Sequence, residues 1–322
     1  MLHITKPEVP ETIGFLLTPS FSMMAFTASI EPLRSANRMS GYALYEWQVV
    51  SKDGNPVNAS NGLATMATTS IAEARHFPTL IVCAGIDVHL FRDKEVFSWL
   101  RRQARNGTRI GAVCTGSHIL ARAGLLENHR CTIHWENIPG FTEEFPDIEV
   151  TSDVFEIDRG RFTCSGGTAA LDMMLHLIGL QYGHELTTAV SDQFIHDRIR
   201  GSNDHQRMTL QSRLGVRDTK LLSVIGQMES NLEEPLLRGE LADSVNLSTR
   251  QLERLFRKYL GSTPKHYYLD LRLRRARQLL LQTNMSVLDV ALACGFVSAS
   301  HFSKCYREHF DKTPREERRT VA

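Results

Sequence analysis

The first 200 residues alternate short apolar runs with longer stretches in which apolar residues recur every three or four positions. The apolar runs predict β-strands at 13–17, 45–51, 79–85, 109–114, 131–135, 154–158 and 161–167. The longer stretches predict helices at 22–39, 94–107, 117–126 and 168–183. Nearly continuous apolar strands interleaved with helices are typical of a parallel or mixed sheet covered on both faces. Residues 1–200 are therefore predicted to form an α/β domain.

The pattern changes after Arg200. Residues 201–217 are polar and have no hydrophobic period, which predicts a linker. Beyond them no strand-like alternation occurs, and apolar residues keep to helical spacing. Residues 218–322 are therefore predicted to form an all-α domain.

The all-α domain contains a repeat. The segments "RQLERLFRKYLGSTP" at 250–264 and "SHFSKCYREHFDKTP" at 300–314 share one skeleton, so that Leu252 corresponds to Phe302. Both copies end at Thr-Pro, and a short helical stretch with a tight turn precedes each one. The copies therefore predict two helix-turn-helix motifs in tandem, and such a motif places its second helix in a major groove of DNA.

The first copy has the signals of a capped amphipathic helix. Ser248 and Gln251 stand at the capping-box spacing, and Gly261 is placed to end the helix. The predicted apolar stripe consists of Leu252, Leu255, Phe256 and Tyr259. The opposite, polar face carries Arg250, Glu253, Arg254 and Arg257. In the second copy, Gly295 can adopt the positive φ that a tight turn needs.

A long helix is predicted between the copies. Thr263 and Pro264 form a helix start, and the helical pattern continues over 264–283. At about 1.5 Å per residue this helix spans about 30 Å, and major grooves on one side of B-DNA recur about every 34 Å. The two motifs can therefore contact successive grooves within one chain. The arginine cluster at 272–277 is expected to lie mainly on a solvated helix face.

Composition agrees with two domains in a soluble protein. A length of 322 residues exceeds what one compact core usually holds, and 42% of residues are hydrophobic against 23% charged. No apolar run approaches the ~18 residues that span a bilayer, and no signal peptide is recognised. Six cysteines without paired spacing indicate reduced thiols in a cytoplasm. No residue cluster has metal-ligand or dinucleotide-loop spacing, so neither a metal nor another cofactor is predicted.

The formal net charge of +1 conceals an asymmetry. From Asp218 onward the chain carries 17 Lys and Arg against 13 Asp and Glu, a net +4, which leaves −3 for residues 1–217. Because this excess is modest, the case for nucleic acid depends on where the charges lie.

The repeated segments and the helix between them resemble the AraC/XylS DNA-binding domain, with two recognition helices, a linker helix and both Thr-Pro stops in order. The resemblance implies double-stranded DNA and RNA polymerase as partners. The residues implied to face bases or phosphates are Arg250, Glu253, Arg254 and Arg257 in the first helix and Ser300, Ser303 and Lys304 in the second. Arginine can bind guanine bidentately, and glutamate can accept from cytosine. For each of these residues the alternative is a surface side chain without a DNA contact.

The segment "RIGAVCTGSHILARAGLL" is typical of a nucleophile elbow. A predicted strand ends at Cys114, Gly116 permits a sharp turn, and the following helix N-terminus favours a thiolate. His134 ends another predicted strand and could approach Cys114 for acyl-transfer or hydrolytic chemistry. The alternative is that Cys114 packs at a strand end and that His134 is a core or pocket histidine.

Residues 11–200 resemble the PfpI-type, class I glutamine amidotransferase-like domain, which has a flavodoxin-like fold, and the whole chain resembles the GlxA-like regulators. The segment 19–27 lacks the carboxylate of active members, and Thr115 stands where peptidase-like members have histidine. The resemblance therefore implies a non-catalytic site that binds a ligand. The implied pocket residues are Cys114, Thr115, His134 and Trp135, with Phe21, Ser22 and Met23 closing the pocket.

The favoured function is that of a homodimeric, ligand-responsive transcription factor, an activator of a catabolic operon. Regulators of the resembled type respond to small nitrogen compounds such as glycine betaine, carnitine and arginine, and a quaternary ammonium would contact aromatic faces such as Trp135 or Phe21. One alternative is a Cys114-dependent amidase or hydrolase tethered to DNA. Another is an architectural DNA binder without a ligand.

Overall fold

The structure is a computed structural model, and it describes residues 7–319. It divides into two compact units, of which the first ends at Gln206 and the second begins at Arg207. The segment predicted as a linker is shared between them, because Gln206 hydrogen-bonds within the first unit while Leu210 and Leu214 pack against the core of the second. The outermost residues of both predicted domains, 1–6 and 320–322, lie outside the described range.

The first unit mixes strands and helices. Its strands are β1 (Glu11–Leu17), β2 (Tyr45–Ser51), β3 (Val57–Asn58), β4 (Ala64–Thr65), β5 (Thr69–Ser70), β6 (Thr79–Cys83), β7 (Arg109–Val113), β8 (Cys131–Thr132), β9 (Val150–Thr151), β10 (Phe155–Asp158) and β11 (Arg161–Cys164). Its helices are α1 (Met23–Ser40), α2 (Lys94–Arg105), α3 (Gly116–Arg122), α4 (Ile138–Glu144), α5 (Ala169–Tyr182) and α6 (His184–Gln193), with a 3-10 turn at Val88–Leu90.

Within residues 7–206, seven strands form one sheet in the order β10-β11-β7-β6-β1-β2-β5. Neighbouring strands run parallel except for the β10–β11 hairpin at one edge. Phe15 and Leu17 of β1 belong to a core shared with α1, α5 and α6, whereas Leu16 belongs to a core shared with α2 and α3. Both faces are thus covered, which explains the nearly continuous apolar strands. The predicted α/β fold is confirmed.

One predicted strand is much shorter than expected. The run at 131–135 forms only Cys131–Thr132, which pairs with Val150–Thr151 in a separate small sheet. The chain turns directly afterwards, because the Asn137 N–H donates to the His134 carbonyl at 2.8 Å. His134 therefore lies in a turn and not at a strand end. Helices α4 and α6 were not predicted.

The second unit is helical throughout its described residues. Its helices are α7 (Leu210–Leu214), α8 (Thr219–Ser230), α9 (Arg238–Asp243), α10 (Thr249–Leu260), α11 (Pro264–Gln282), α12 (Val287–Ala293), α13 (Ala299–Phe310) and α14 (Pro314–Arg319). The helix pairs α9–α10 and α12–α13 correspond to the two predicted helix-turn-helix motifs.

The repeat extends to the details of the two motifs. Helices α10 and α13 each have 12 residues and begin 50 positions apart. The predicted capping box at Ser248 is present, and the Ser298 side chain caps α13 by accepting from the His301 N–H. Both helices end at a left-handed residue, Gly261 in one and Asp311 in the other. The repeated sequence pattern therefore produces the same local structure twice.

The buried stripe of α10 differs from the prediction in the last helical turn. Leu252 and Phe256 are fully buried, and Phe302 and Tyr306 are their buried counterparts in α13. Tyr259, however, is 39% exposed, with the Lys258 ammonium over its ring. Leu260 packs against the core instead. In the last helical turn, the buried position is therefore Leu260 and not Tyr259.

Helix α11 holds the two motifs in one body. It contributes Tyr268 to the core of the first motif and Leu273 and Leu279 to the core of the second. A Cβ on Gly295, whose φ is +72°, would meet Pro235 Cγ at 2.6 Å and the Leu232 carbonyl at 2.7 Å. The turn of the second motif therefore packs tightly on the segment between α8 and α9, and only glycine fits there.

Two arginines of the α11 cluster have partners within the second unit, whereas Arg274 lies on a solvated face as predicted. Arg272 donates to the carbonyls of Cys294 and Gly295 at 2.7 Å each, and its guanidinium lies over the Phe296 ring. Arg277 pairs with Glu317 of α14 at 2.9 Å. These arginines therefore stabilise the second motif, and they are not free to neutralise phosphates.

Candidate functional site

The outer face of α10 carries unpaired positive charge. Arg250, Arg254 and Arg257 are exposed, and within residues 7–319 none of their guanidinium groups has a hydrogen-bond or ion-pair partner. Because the opposite face of the helix is packed into the core, these guanidinium groups point away from the unit. A 12-residue helix of this kind can lie in a major groove, where arginine binds guanine edges or phosphates.

Glu253 differs from its arginine neighbours. Its carboxylate accepts from Arg238 Nη1 at 2.7 Å, and Arg238 is the first residue of the preceding helix. This ion pair offsets the charge of the carboxylate, which keeps acceptor sites for a cytosine amino group. Arg238 was not singled out from the sequence, because α9 is too short to show a clear periodic face.

The outer face of α13 is smaller and less charged. Ser300 and Lys304 are exposed, and Lys304 approaches Glu308 at 4.0 Å across one helical turn. Ser303 is half-buried and therefore less accessible than predicted. Arg307 adds an exposed positive charge near the end of this helix. Chemically, α13 offers one lysine, one arginine near its end and small hydroxyl groups, which give fewer base contacts than the three arginines of α10.

Cys114 occupies the sharp turn that the sequence predicts. Its φ is +59°, a left-handed backbone conformation that residues other than glycine rarely adopt. Two glycines make room for this turn. A Cβ on Gly116 would lie 2.4 Å from the Val82 carbonyl, and one on Gly166 would lie 2.7 Å from the Cys114 Cβ. The thiol is thus held at the carboxyl end of β7, the edge of a parallel sheet where ligands usually bind.

The surroundings of Cys114 do not favour a thiolate. Burial raises the pKa of the Cys114 thiol to about 11 and outweighs the lowering by the Thr115 N–H and the Ser22 hydroxyl. The nearby Glu136 raises this pKa further. The expectation that a helix N-terminus would supply a thiolate is therefore wrong for this site, since α3 is only one short helix against extensive desolvation.

His134 is close to Cys114 through the backbone. The His134 N–H donates to the Cys114 carbonyl at 3.3 Å. Its ring lies beside the Trp135 ring, with centroids 5.7 Å apart, and 3.8 Å from a Glu136 oxygen. Burial lowers the pKa of the imidazole, which is therefore neutral at pH 7. Among the described residues, no hydrogen bond joins this ring to the Cys114 sulfur.

Two of the remaining predicted pocket residues have structural partners. The Thr115 hydroxyl donates to the Gly85 carbonyl at 2.7 Å and is buried. Phe21 is fully buried and packs edge-to-face on Phe26, so it does not close a pocket as predicted. The reason is that the chain at Phe21 bridges to Ala59 and Gly85, which directs the ring into the core.

The other two predicted pocket residues begin α1. The Ser22 side chain caps this helix by accepting from the Ala25 N–H at 3.3 Å, and it lies close enough to the Cys114 thiol to lower its pKa. Met23 is half-buried against the same core. Ser22, Cys114 and His134 are therefore brought together, whereas Phe21 and Thr115 mainly support them.

A separate cavity of about 380 Å³ lies where β1 and β2 end. It is lined by residues of 16–19 and 51–58 together with Phe91, Asp93 and Val96, and by none of the predicted pocket residues. Its polar rim has internal partners, since Lys52 pairs with Asp93 at 2.6 Å and the Ser51 hydroxyl donates to the Asn55 carbonyl. Among residues 7–319, no group of three or more His, Cys, Asp or Glu side chains is placed to hold a metal ion.

We expect alkylation of Cys114 by iodoacetamide to be slow at pH 7 and to rise about tenfold per pH unit, without a plateau below about pH 10. The reason is that a thiol of pKa about 11 is protonated throughout that range. Mass spectrometry of the Cys114 peptide measures the rate, and a free cysteine peptide, whose rate levels off near pH 9, is the control. A plateau below pH 8 would contradict the prediction and favour nucleophilic chemistry.

The two units match two families. Residues 11–180 match the DJ-1/PfpI family, and residues 241–320 match a family described as a helix-turn-helix domain. No helix among the described residues combines the length and the apolar character that a membrane crossing requires.

Relatives cover nearly the whole chain. The HTH-type transcriptional regulator GbdR of Pseudomonas aeruginosa is 51% identical over 96% of this chain and 84% of its own length. The HTH-type transcriptional regulator GlxA of Rhizobium meliloti is 37% identical over 96% of each chain. A solved AraC family transcriptional regulator from Pseudomonas putida is 30% identical with a TM-score of 0.54, covering 57% of this chain and all of that one. The chain therefore belongs to the AraC-type transcriptional regulators that combine a DJ-1/PfpI-like domain with a helix-turn-helix domain.

Proposed function

We propose that this DNA-binding regulator activates a catabolic operon when a small nitrogen-containing metabolite binds its first unit. The observation that carries the DNA-binding part is the duplicated helix, α10 and α13, which repeats after 50 residues with one face buried and the other exposed. One rigid helix, α11, joins the two motifs. Such a body suits two successive major grooves.

The proposed contacts with bases and phosphates come from side chains of α10 and α13. Arg250, Arg254 and Arg257 contact DNA directly, since their guanidinium groups are exposed and unpaired. Glu253 contributes through its carboxylate, one oxygen of which accepts from Arg238. From α13 the contacts are made by Ser300, Ser303 and Lys304, and the small side chains there make this helix the weaker reader.

The effector is placed beside Cys114 and His134. A protonated thiol and a neutral imidazole suit binding better than nucleophilic attack, because neither group is activated. The half-buried Trp135 offers an aromatic face to a quaternary or primary ammonium, which fits glycine betaine, carnitine or an amino acid.

The proposal also covers the partners and the compartment of the regulator. The first unit is proposed to pair two chains, and RNA polymerase is the proposed partner at the promoter. The cytoplasm is the proposed compartment.

Replacing Arg254 with alanine is expected to weaken operator binding by about 1–3 kcal/mol, with the loss confined to one base position, if this arginine reads guanine. Fluorescence anisotropy on the selected operator and on single-base variants measures the loss. Arg105→Ala, which removes an exposed arginine of α2, is the control and should bind as the wild type does. Equal weakening on every sequence would reduce Arg254 to a phosphate contact.

Replacing Cys114 with alanine separates the sensor from the tethered enzyme. The sensor should keep effector-dependent transcription, with at most a shifted effector midpoint, because no covalent step uses the sulfur. A reporter assay with glycine betaine, carnitine or arginine, together with thermal shift of the purified chain, measures both properties. Complete loss of the response with intact effector binding would support the enzyme instead.

A further inference from the structure

The last segment of the first unit, residues 195–206, has no helix or strand and leads directly into the second unit. We call it the strap. It follows α6, and its final residue, Gln206, precedes the first residue of the DNA-binding unit. A structural change in the first unit can reach the second unit along the chain only through this segment.

The beginning of the strap is held by a buried carboxylate. Asp172 of α5 is fully buried and accepts from His196 Nε2 at 2.8 Å, from the Arg200 backbone N–H at 2.9 Å and from Arg200 Nε at 2.7 Å. Arg200 also donates to the Thr168 hydroxyl at 2.7 Å. Because these charge-assisted hydrogen bonds are buried, they hold the beginning of the strap firmly on α5.

The end of the strap is held differently. Gln206 Nε2 donates to the Thr132 hydroxyl at 2.8 Å and to the carbonyls of Ile133 and Asp153 at 3.0 Å each. These partners are neutral, and the Gln206 Oε1 atom is buried without a partner. An unsatisfied buried oxygen offsets part of what the three contacts contribute, so this tie is released at a smaller cost than the Asp172 anchor.

The Gln206 tie ends beside the proposed effector site. Ile133, which accepts from Gln206, precedes His134, and the His134 N–H donates to the Cys114 carbonyl at 3.3 Å. Two hydrogen bonds and the peptide unit between Ile133 and His134 therefore connect the Gln206 side chain to the Cys114 carbonyl. A shift of His134 on ligand binding moves the Ile133 carbonyl, which is an acceptor of the Gln206 amide.

From this geometry we infer that Gln206 is a positioning residue that couples the Cys114–His134 site to the DNA-binding unit. With the tie made, the end of the strap is fixed on the β8 segment. With the tie broken, the strap remains anchored at Asp172 and at the Asp204 carbonyl, which accepts from the Val154 N–H at 2.9 Å, while Gln206, whose own N–H reaches the Ser152 carbonyl only at 3.4 Å, gains freedom. The effector acts by shifting the balance between these two states. The inference rests on the proposed function, since it assumes that an effector binds beside His134.

Hydrogen–deuterium exchange of the full chain tests the tie without any effector. In Gln206→Ala and Gln206→Leu, amides of 131–135 and 203–206 should exchange about fivefold to tenfold faster, because local opening no longer breaks the three contacts. Gln211→Ala, which removes an exposed glutamine of α7, is the matched control and should leave both segments unchanged. Unchanged exchange at 131–135 in both Gln206 variants overturns the coupling.

A reporter assay then tests regulation, with glycine betaine, carnitine and arginine as probes. Gln206→Ala should bring the ratio of induced to basal transcription close to one, while operator binding by the purified chain stays within about twofold. Faster exchange with a wild-type induction ratio would make the tie purely structural and overturn the regulatory role. If the wild-type chain responds to none of the probes, the proposed effector class fails, whereas the exchange data still decide whether the strap and the site are coupled.

Discussion

Replacing Asp172 with alanine is expected to lower the free energy of unfolding of the first unit by about 3–5 kcal/mol. The carboxylate is fully buried and holds both His196 and Arg200. Removing it leaves the Arg200 guanidinium, about a quarter exposed, without its counter-charge, and releases the strap from α5. Loss of one partner of a buried ion pair costs far more than loss of an exposed pair.

Urea unfolding followed by tryptophan fluorescence measures this loss. The three tryptophans, Trp47, Trp99 and Trp135, all lie in the first unit, so the signal reports that unit alone. Asp172→Asn should lose less stability than Asp172→Ala, because one side-chain oxygen can still accept hydrogen bonds. Asp197→Ala, in an exposed position of the same strap, should change the stability by no more than about 0.5 kcal/mol. A loss below about 1 kcal/mol for Asp172→Ala would show that the cluster is dispensable.

The strap also shows where sequence patterns stop being informative. Hydrophobic period identified the sheet and its covering helices, because buried strands and amphipathic helices have regular patterns. Asp172, His196 and Arg200 have no such pattern, since their positions are determined by tertiary hydrogen bonds between α5 and an irregular segment. The polar residues at 201–206 therefore suggested a linker, although Asp204 and Gln206 hydrogen-bond within the first unit.

The Cys114 site shows a second limit. The strand, the glycine and the following helix correctly predicted a sharp turn, because backbone geometry follows from a few local residues. The charge state of the thiol could not be predicted in the same way. It depends on desolvation by residues that are distant in sequence, and here desolvation is stronger than the helix terminus. The prediction that Phe21 closes the pocket was wrong for a related reason. The bridges to Ala59 and Gly85, which are distant in sequence, direct its ring into the core.

Inserting base pairs between the two half-sites of a selected operator should reduce affinity by about 100-fold to 1,000-fold, the loss expected when one reading helix loses its bases. Helix α11 has 19 residues and spans about 28 Å at 1.5 Å per residue. It packs into the cores of both motifs, and Gly295 of the second motif lies against Pro235 beside the first. Helices α10 and α13 therefore keep one spacing, which we propose matches about one turn of the duplex.

Two insertion lengths distinguish a rigid body from a flexible tether. Five base pairs place the second half-site on the opposite side of the duplex, and ten return it to the same side about 34 Å further along. Because α11 cannot lengthen, both insertions should weaken binding to the level of a DNA that keeps only the α10 half-site. Anisotropy with DNA carrying a single operator measures the affinities, and an insertion outside the half-sites is the control. Recovery of affinity at ten base pairs would mean that α10 and α13 move independently.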